Sequence, residues 1–574
     1  MKMIQNTRNA VIRLPFILAM TILCSGSLFP QSTAIQTDVP ALKTVYAKDF
    51  TIGCLLSYRH IGLSSDPVVP GQSSVVSPTG GELIRYHMNC MSPGNNMKPE
   101  NTVDITAGAA AYNAASGDVR DSIETHPVIR FIPDMIAQLN WAQRQGFRFR
   151  GHTLIWHNQT PTAFFRSGYS STGTRLTKEK MIERLDNYLK GIIKLIHEGW
   201  PGMLSAIDVV NEAVQDNGSD RTTDSEWYVT FGDNSYIMKA FELVRKYTVE
   251  FGETQIKLYY NDYNTSTPSK ADGIVRLCAP IFQAGYLDGI GMQEHDSNSS
   301  PTAAQWIATY DKFFPICSEM SVTELDVTTG SGTPNDPTLA IQANQYGQLF
   351  KCFVERSYFS GRGKIINVSK DGLNDQYTFK TNQSSSLWDA NNQCKPAFYA
   401  VANIGLRYNA LDSLLASADT LKETDYTADS WAQWASAVLS AQNIMKRNYS
   451  ASFSAADSLG KALDVLTSAH EGLVHMTNNV VVIDNNPKTF MLSQNYPNPF
   501  NPTTRIDYAV PNAGFVSLKV YDLQGREVKT LFEGVRPAGE YTSLFDGSEL
   551  AGGVYIYQLK AGDFSEARKL ILVK

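Results

Sequence analysis

Two glutamates stand out by position. Glu212 closes the run DVVNEA and Glu324 lies in SVTELD, each at or near the end of a stretch rich in β-branched and apolar residues. A pair of carboxyl groups converging from separate segments suits hydrolysis of a glycosidic bond: one protonates the leaving oxygen, while the other attacks the anomeric carbon or activates water. A single acidic residue at a strand end is more often merely solvated or salt-bridged. Here similar polar and aromatic bursts end other apolar runs: NNMKPE (95–100), HTLIWHNQ (152–159), NDYN (261–264) and QEH (293–295).

The elements that must carry these bursts can be read from periodicity. Strand candidates are 50–56, 85–91, 148–156, 205–211, 256–262, 287–293, 320–327 and 364–369. Between them, 128–146, 177–196 and 236–250 repeat apolar residues at i, i+3, i+4, the stripe of a helix packed on one face. Eight strands alternating with helices predict an α/β fold, a (β/α)8 TIM barrel over 45–410. In such a barrel the C-terminal strand ends form the active face, where the polar bursts fall.

Six blocks in order, NNMKPE, GHTLIWHNQ, DVVNEA, YYNDYN, GIGMQEH and TELDV, resemble those of glycoside hydrolase family 10, best known as endo-1,4-β-xylanases. The resemblance implies a retaining double displacement with Glu212 as acid/base and Glu324 as nucleophile, acting on xylan. It implies that Asn211 bonds the sugar 2-hydroxyl, that Gln293 and His295 hold Glu324, and that Asp326 supports His295. Asn95, Lys98 and His152 would grip glycone hydroxyls with Trp156 and Gln159 nearby, and Tyr263 would face the leaving group. His157 reads as structural. No metal or cofactor is implied.

The chain departs from the family at the eighth strand. VSKDGLNDQYTF (368–379) places Asp371 and Phe379 where the family has two tryptophans. Phe keeps an apolar wall, whereas Asp removes one and adds a carboxylate whose charge is expected to raise the pKa of a neighbouring Glu. Gly94 stands where many members have Glu, and Ile207 where Trp is common. These changes keep two alternatives open: the same mechanism on another β-glycan or on decorated xylan, and a catalytically weak carbohydrate-binding barrel.

Flanking segments read differently. Lys2, Arg8 and Arg13 precede the apolar run LPFILAMTILC, the order of a secretory signal peptide, assigned to 1–34. Residues 411–476 carry three helical patterns and resemble a FIVAR repeat, with Trp431 and Trp434 at core spacing. A linker at 477–490 leads to 491–574, whose alternating runs predict an antiparallel β-sandwich. NYPNPFNPTTRIDYAVP, VYDLQGREVKTL and KLILVK resemble a type IX secretion C-terminal sorting domain. That implies the type IX machinery as a partner and a secreted or outer-surface location, with no transmembrane segment in the mature chain. The net charge of −6 over 574 residues supplies no basic footprint for nucleic acid. Cys54, Cys90, Cys278, Cys317, Cys352 and Cys394 show no metal spacing and read as buried free thiols.

Overall fold

The structure, a computed structural model, describes residues 34–63, 66–77, 79–330, 332–446, 455–475 and 487–574. The signal segment up to residue 33 and the linker from 477 to 486 therefore lie outside the described residues. Contacts divide the chain into two compact units, Met1–Val474 and His475–Lys574.

In the first unit, eight strands form a closed parallel sheet: β1 (Thr51–Leu56), β2 (Cys90–Pro93), β3 (Arg148–Gly151), β4 (Leu204–Asn211), β5 (Lys257–Asp262), β6 (Gly289–Met292), β7 (Glu319–Thr328) and β8 (Ile365–Asp371). Closure is made by β8, which pairs with both β1 and β7. A helix follows each strand and covers it, as the alternation predicts. Lys178–Gly199 shows why these segments are helical. Thr177 caps it by accepting from Lys180 N, and Met181, Leu185, Tyr188, Leu189, Ile192, Ile193 and Ile196 bury one stripe.

One expected strand is shifted. Residues 85–91 span the end of helix Gly80–His87 and the start of β2. Leu83, Ile84 and His87 are buried from a common helical face, so the apolar signal around residue 85 came from helix packing rather than strand alternation.

Helix Pro396–Ala418, which covers β8, runs through residue 411 without a break. Helices Ala428–Lys446 and Ala455–Glu471 pack near its C-terminal half, and Leu411, Trp434, Ala441, Leu459 and Leu466 join the same buried cluster as the barrel. Trp434 is core, as its spacing suggests; Trp431 is partly buried beside Tyr426. Cys54, Cys90, Cys278, Cys317 and Cys352 are buried free thiols, and Cys394 is a half-buried one.

In the second unit, Met491–Leu492, Thr503–Val510 and Gly539–Asp546 form one antiparallel sheet, while Gly514–Tyr521, Glu527–Arg536, Gly553–Ala561 and Phe564–Leu572 form another. Alternate residues such as Val516, Leu518, Val520, Tyr557 and Leu559 point into the shared core, giving the expected sandwich. Among the described residues, no helix is long and apolar enough to cross a membrane.

Candidate active site

The C-terminal strand ends open into one cleft of about 870 Å³. Glu212, Glu324, Asn95, Lys98, His152, Trp156, Asn211, Tyr263, Gln293, His295 and Phe379 all line it. Of the expected site residues, Gln159 and Asp326 do not line the cleft but bond residues that do. Lys98 Nζ donates to Gln159 Oε1 at 2.8 Å, and Asp326 Oδ2 holds His295 Nδ1 at 2.6 Å.

Glu212 directly follows β4 with a φ of +54°. A non-glycine residue in the left-handed region costs about 1–3 kcal/mol and persists only where its surroundings impose it. Here its N–H is tied to Asn261 O at 2.9 Å. Its carboxylate accepts three neutral donors: Trp156 Nε1 at 2.8 Å on one oxygen, with Gln293 Nε2 at 2.8 Å and Asn211 Nδ2 at 3.1 Å on the other.

Glu324, on β7, is surrounded by basic side chains. His295 Nε2 lies 3.4 Å from its Oε2 and His152 Nε2 4.0 Å from its Oε1. Burial by itself would raise its pKa, but the His295 hydrogen bond and the charges of His152, His295 and Lys98 outweigh it and hold the carboxyl at about 2. His295 is driven the other way. Burial opposes its charge, yet the bonds to Asp326 and Glu324 raise its pKa well above 6.5. Lys98, lowered by burial against the pull of both glutamates, donates to Asn95 Oδ1 at 2.7 Å and sits 4.3 Å from the Trp156 ring centre.

The partners of Gln293 differ from expectation. Its side chain bonds Glu212 and reaches Asn211 Oδ1 at 3.4 Å; only its backbone carbonyl meets Glu324, through Glu324 N–H at 3.1 Å. The side-chain amide on Glu324 comes instead from Asn261, whose Nδ2 reaches Glu324 Oε1 at 3.1 Å and Asn211 Oδ1 at 2.9 Å. Asn261 has room because the facing residue on β6 is glycine. A Cβ on Gly291 would fall 2.2 Å from Asn261 Oδ1.

The expectation for Asp371 is also corrected. It lines the cleft, but its Oδ2 accepts from Thr378 Oγ1 at 2.6 Å and Phe379 N at 2.7 Å, closing the loop after β8. Its own pKa is raised, first by burial and, among charges, by Asp326. Glu324 remains low, so the extra carboxyl does not lift it. The loop presents Phe379, 77% exposed, with its ring centre 5.6 Å from that of His295.

Asp208 and Arg221 were not singled out from sequence, and His157, read there as structural, lines the cleft. Asp208 anchors His152 Nδ1 at 2.9 Å and pairs with Arg150. Arg221 donates to the Glu212 carbonyl at 2.7 Å and to the Tyr263 hydroxyl at 2.8 Å. His157 is lowered to about 4, first by burial and then by Arg221. Asp208 and Asn261 lie inside the blocks quoted above, so the signal was present without a role attached.

A closed barrel whose mouth holds two carboxyls, one kept ionised by cations and the other bound by neutral donors, has the constellation of a glycoside hydrolase. The chain belongs to glycosyl hydrolase family 10, whose sequence profile matches residues 41–404. Endo-1,4-beta-xylanase Y of Acetivibrio thermocellus is 33% identical over 65% of this chain, which spans 33% of that relative's length. A putative endo-1,4-beta-xylanase of Caldicellulosiruptor saccharolyticus is 32% identical over 55% of this chain and 98% of its own. Among solved structures, the CBM22-GH10 modules of Clostridium thermocellum xylanase 10B, complexed with xylohexaose, superpose with a TM-score of 0.54 at 31% identity, covering 63% of this chain and 67% of that one. Residues 494–574 match the secretion system C-terminal sorting domain, which marks the protein for the cell exterior or surface.

Proposed function

We propose that this chain is a retaining endo-1,4-β-xylanase that works outside the cell. The reading is carried by the convergence of the two glutamates in one cleft at the barrel mouth, with Glu324 held at about 2 as an ionised nucleophile requires. Glu324 attacks the anomeric carbon while Glu212 gives its proton to the departing glycosidic oxygen, and a glycosyl ester forms on Glu324. Glu212 then takes a proton from water, the hydroxide attacks the ester, and Glu324 is released with the configuration retained.

Asn95, Lys98 and His152 hold glycone hydroxyls, and Asn211 meets the 2-hydroxyl. Trp156 and Gln293 keep the Glu212 carboxyl in place, Tyr263 faces the leaving group, and Phe379 supplies the apolar wall. His295, oriented by Asp326, balances the charge of Glu324; Gln159 steadies Lys98. Xylan is the substrate because the relatives named above are endo-1,4-beta-xylanases and one such structure holds xylohexaose. We take 45–410 as the catalytic segment, 411–476 as a helical appendage, 477–490 as a linker and 491–574 as the sorting domain read by type IX machinery.

The test is product analysis on xylan, mixed-linkage glucan and cellulose with Glu324→Ala as the blank. Oligosaccharides released from xylan with retained configuration are expected. Binding of xylan with no hydrolysis of any of the three would overturn the reading in favour of a binding barrel.

A further inference from the structure

Lys270 lies in the first turn of helix Pro268–Gln283, and Asp262 is the last residue of β5. Both side chains are fully buried, and Lys270 Nζ stands 2.8 Å from Asp262 Oδ1. Burial pushes the Asp262 carboxyl up to about 7 against the pull of Lys270. Taking two charges out of water costs about as much as their attraction returns, so packed apolar side chains would serve the core equally well. What the pair adds is direction, through the further bonds that its atoms make.

Those bonds lead to the backbone that follows Glu212. Lys270 Nζ donates to Val214 O at 2.6 Å. Asp262 Oδ2 accepts from the Tyr260 hydroxyl, and that hydroxyl in turn accepts from Ala213 N–H at 3.0 Å. Tyr260 and Asp262 alternate on β5 and so share one side of the strand, opposite to Asn261, which reaches Glu324. Asp262 Oδ1 also accepts from Tyr263 N–H at 2.9 Å, and the Lys270 ammonium lies 3.9 Å from the Tyr263 ring centre. Glu212 keeps its left-handed φ of +54° immediately before these anchored groups. Such a backbone persists only where its surroundings impose it.

We propose that the buried Lys270–Asp262 pair positions the acid/base: it fixes the Ala213–Val214 backbone and thereby the left-handed turn that aims the Glu212 carboxyl at the glycosidic oxygen. The proposal rests on the xylanase reading above, which makes Glu212 the proton donor. Lys270 and Asp262 do not line the cleft, so they are positioning residues rather than catalytic ones. A carboxyl displaced by about an ångström leaves hydrogen-bond reach of the leaving oxygen and transfers its proton poorly. Attack by Glu324, on β7, does not depend on this turn.

The experiment compares wild type, Lys270→Met, Glu212→Ala and the double variant on xylan and on a dinitrophenyl xylobioside, whose leaving group departs without a proton. Lys270→Met is expected to lower kcat on xylan by about tenfold or more with KM within about twofold. The dinitrophenolate burst, which reports attack by Glu324, keeps its rate within about threefold. In the Glu212→Ala background the same change costs less than about twofold on xylan, because the group it positions is gone. Tyr260→Phe, which removes the hydroxyl that meets Ala213 N–H and keeps the ion pair, gives the same pattern in smaller measure. Equal losses on both substrates, an undiminished loss in the Glu212→Ala background, or a Lys270→Met chain that does not fold would make the pair a support of the barrel and overturn the proposal. Full activity of Lys270→Met on xylan overturns it too and leaves the xylanase reading intact. Failure of wild type to cut xylan overturns that reading and the positioning role with it.

Discussion

His295 Nε2 stands 3.4 Å from Glu324 Oε2, while the opposite ring nitrogen is held 2.6 Å from Asp326 Oδ2. Lys380 Nζ, 2.7 Å from Asp326 Oδ1, extends the line. Cation and anion alternate along this row, so each charge stabilises its neighbours in a site shielded from water. The ionised state of Glu324 is thus supported by a row that continues behind the cleft wall, in addition to the charges of His152 and Lys98 within it.

This row predicts a pH response. Glu324 titrates at about 2 in the fold against an ordinary value of 4.5, so its contribution to stability is present above 4.5 and is lost as pH falls towards 2. His295, raised well above 6.5, contributes fully below 6.5 and loses its contribution as pH rises through the elevated value. In His295→Ala the acidic limb of the kcat/KM profile is expected to move up by about one pH unit or more. A limb that stays in place would show that His295 does not hold Glu324 ionised.

The two glutamates should respond oppositely to an added nucleophile. Glu324→Ala and Glu212→Ala each lower turnover of xylan by about four orders of magnitude. With an aryl xyloside and azide, Glu212→Ala gives the β-azide, because azide opens the ester without needing a base. Glu324→Ala gives the α-azide by direct displacement. Proton NMR of the products distinguishes them, and reversed configurations would exchange the two roles.

Gln293 tests which carboxyl its side chain serves. Its amide bonds Glu212, so Gln293→Ala is expected to impair proton donation and to lower kcat on xylan by about tenfold. An aryl glycoside whose leaving group departs without a proton should be affected much less in the glycosylation step. Equal losses on both substrates would place the effect on Glu324 instead.

Asp371 is expected to matter for the loop. Removing its carboxyl in Asp371→Ala leaves Thr378 Oγ1–H and Phe379 N–H without their acceptor, at a cost of about 1–3 kcal/mol by urea unfolding. Phe379 then loses its anchored position, and kcat/KM on bare xylan falls as well. Unchanged stability would contradict the anchoring role.

Much of the site was legible because a parallel barrel collects strand C-termini at one mouth. Once eight strand-helix alternations are recognised, residues such as Asn95, His152, Glu212 and Glu324 converge although they are far apart in the chain. The shift of the second strand shows the limit of this reading. Arg85 to Met88 carries apolar and aromatic residues that suit either element, and helix Gly80–His87 claims most of them.

The sequence by itself determined the barrel and the sandwich, because periodicity decides which face a residue takes and strand order decides which ends meet. The two glutamates and most of the residues around them were marked by the resemblance of the six blocks to the family. Only the tertiary structure decided the pairings within the mouth. Gln293 turns to Glu212, Asn261 reaches Glu324 over the space left by Gly291, and Asp371 turns into its own loop. These choices depend on distances of a few tenths of an ångström across a closed sheet and on the path of the loop after β8, which neither residue type nor spacing encodes. Glu212 and Glu324 are both glutamates at strand ends in the sequence; the barrel makes one the neighbour of neutral donors and the other the neighbour of cations.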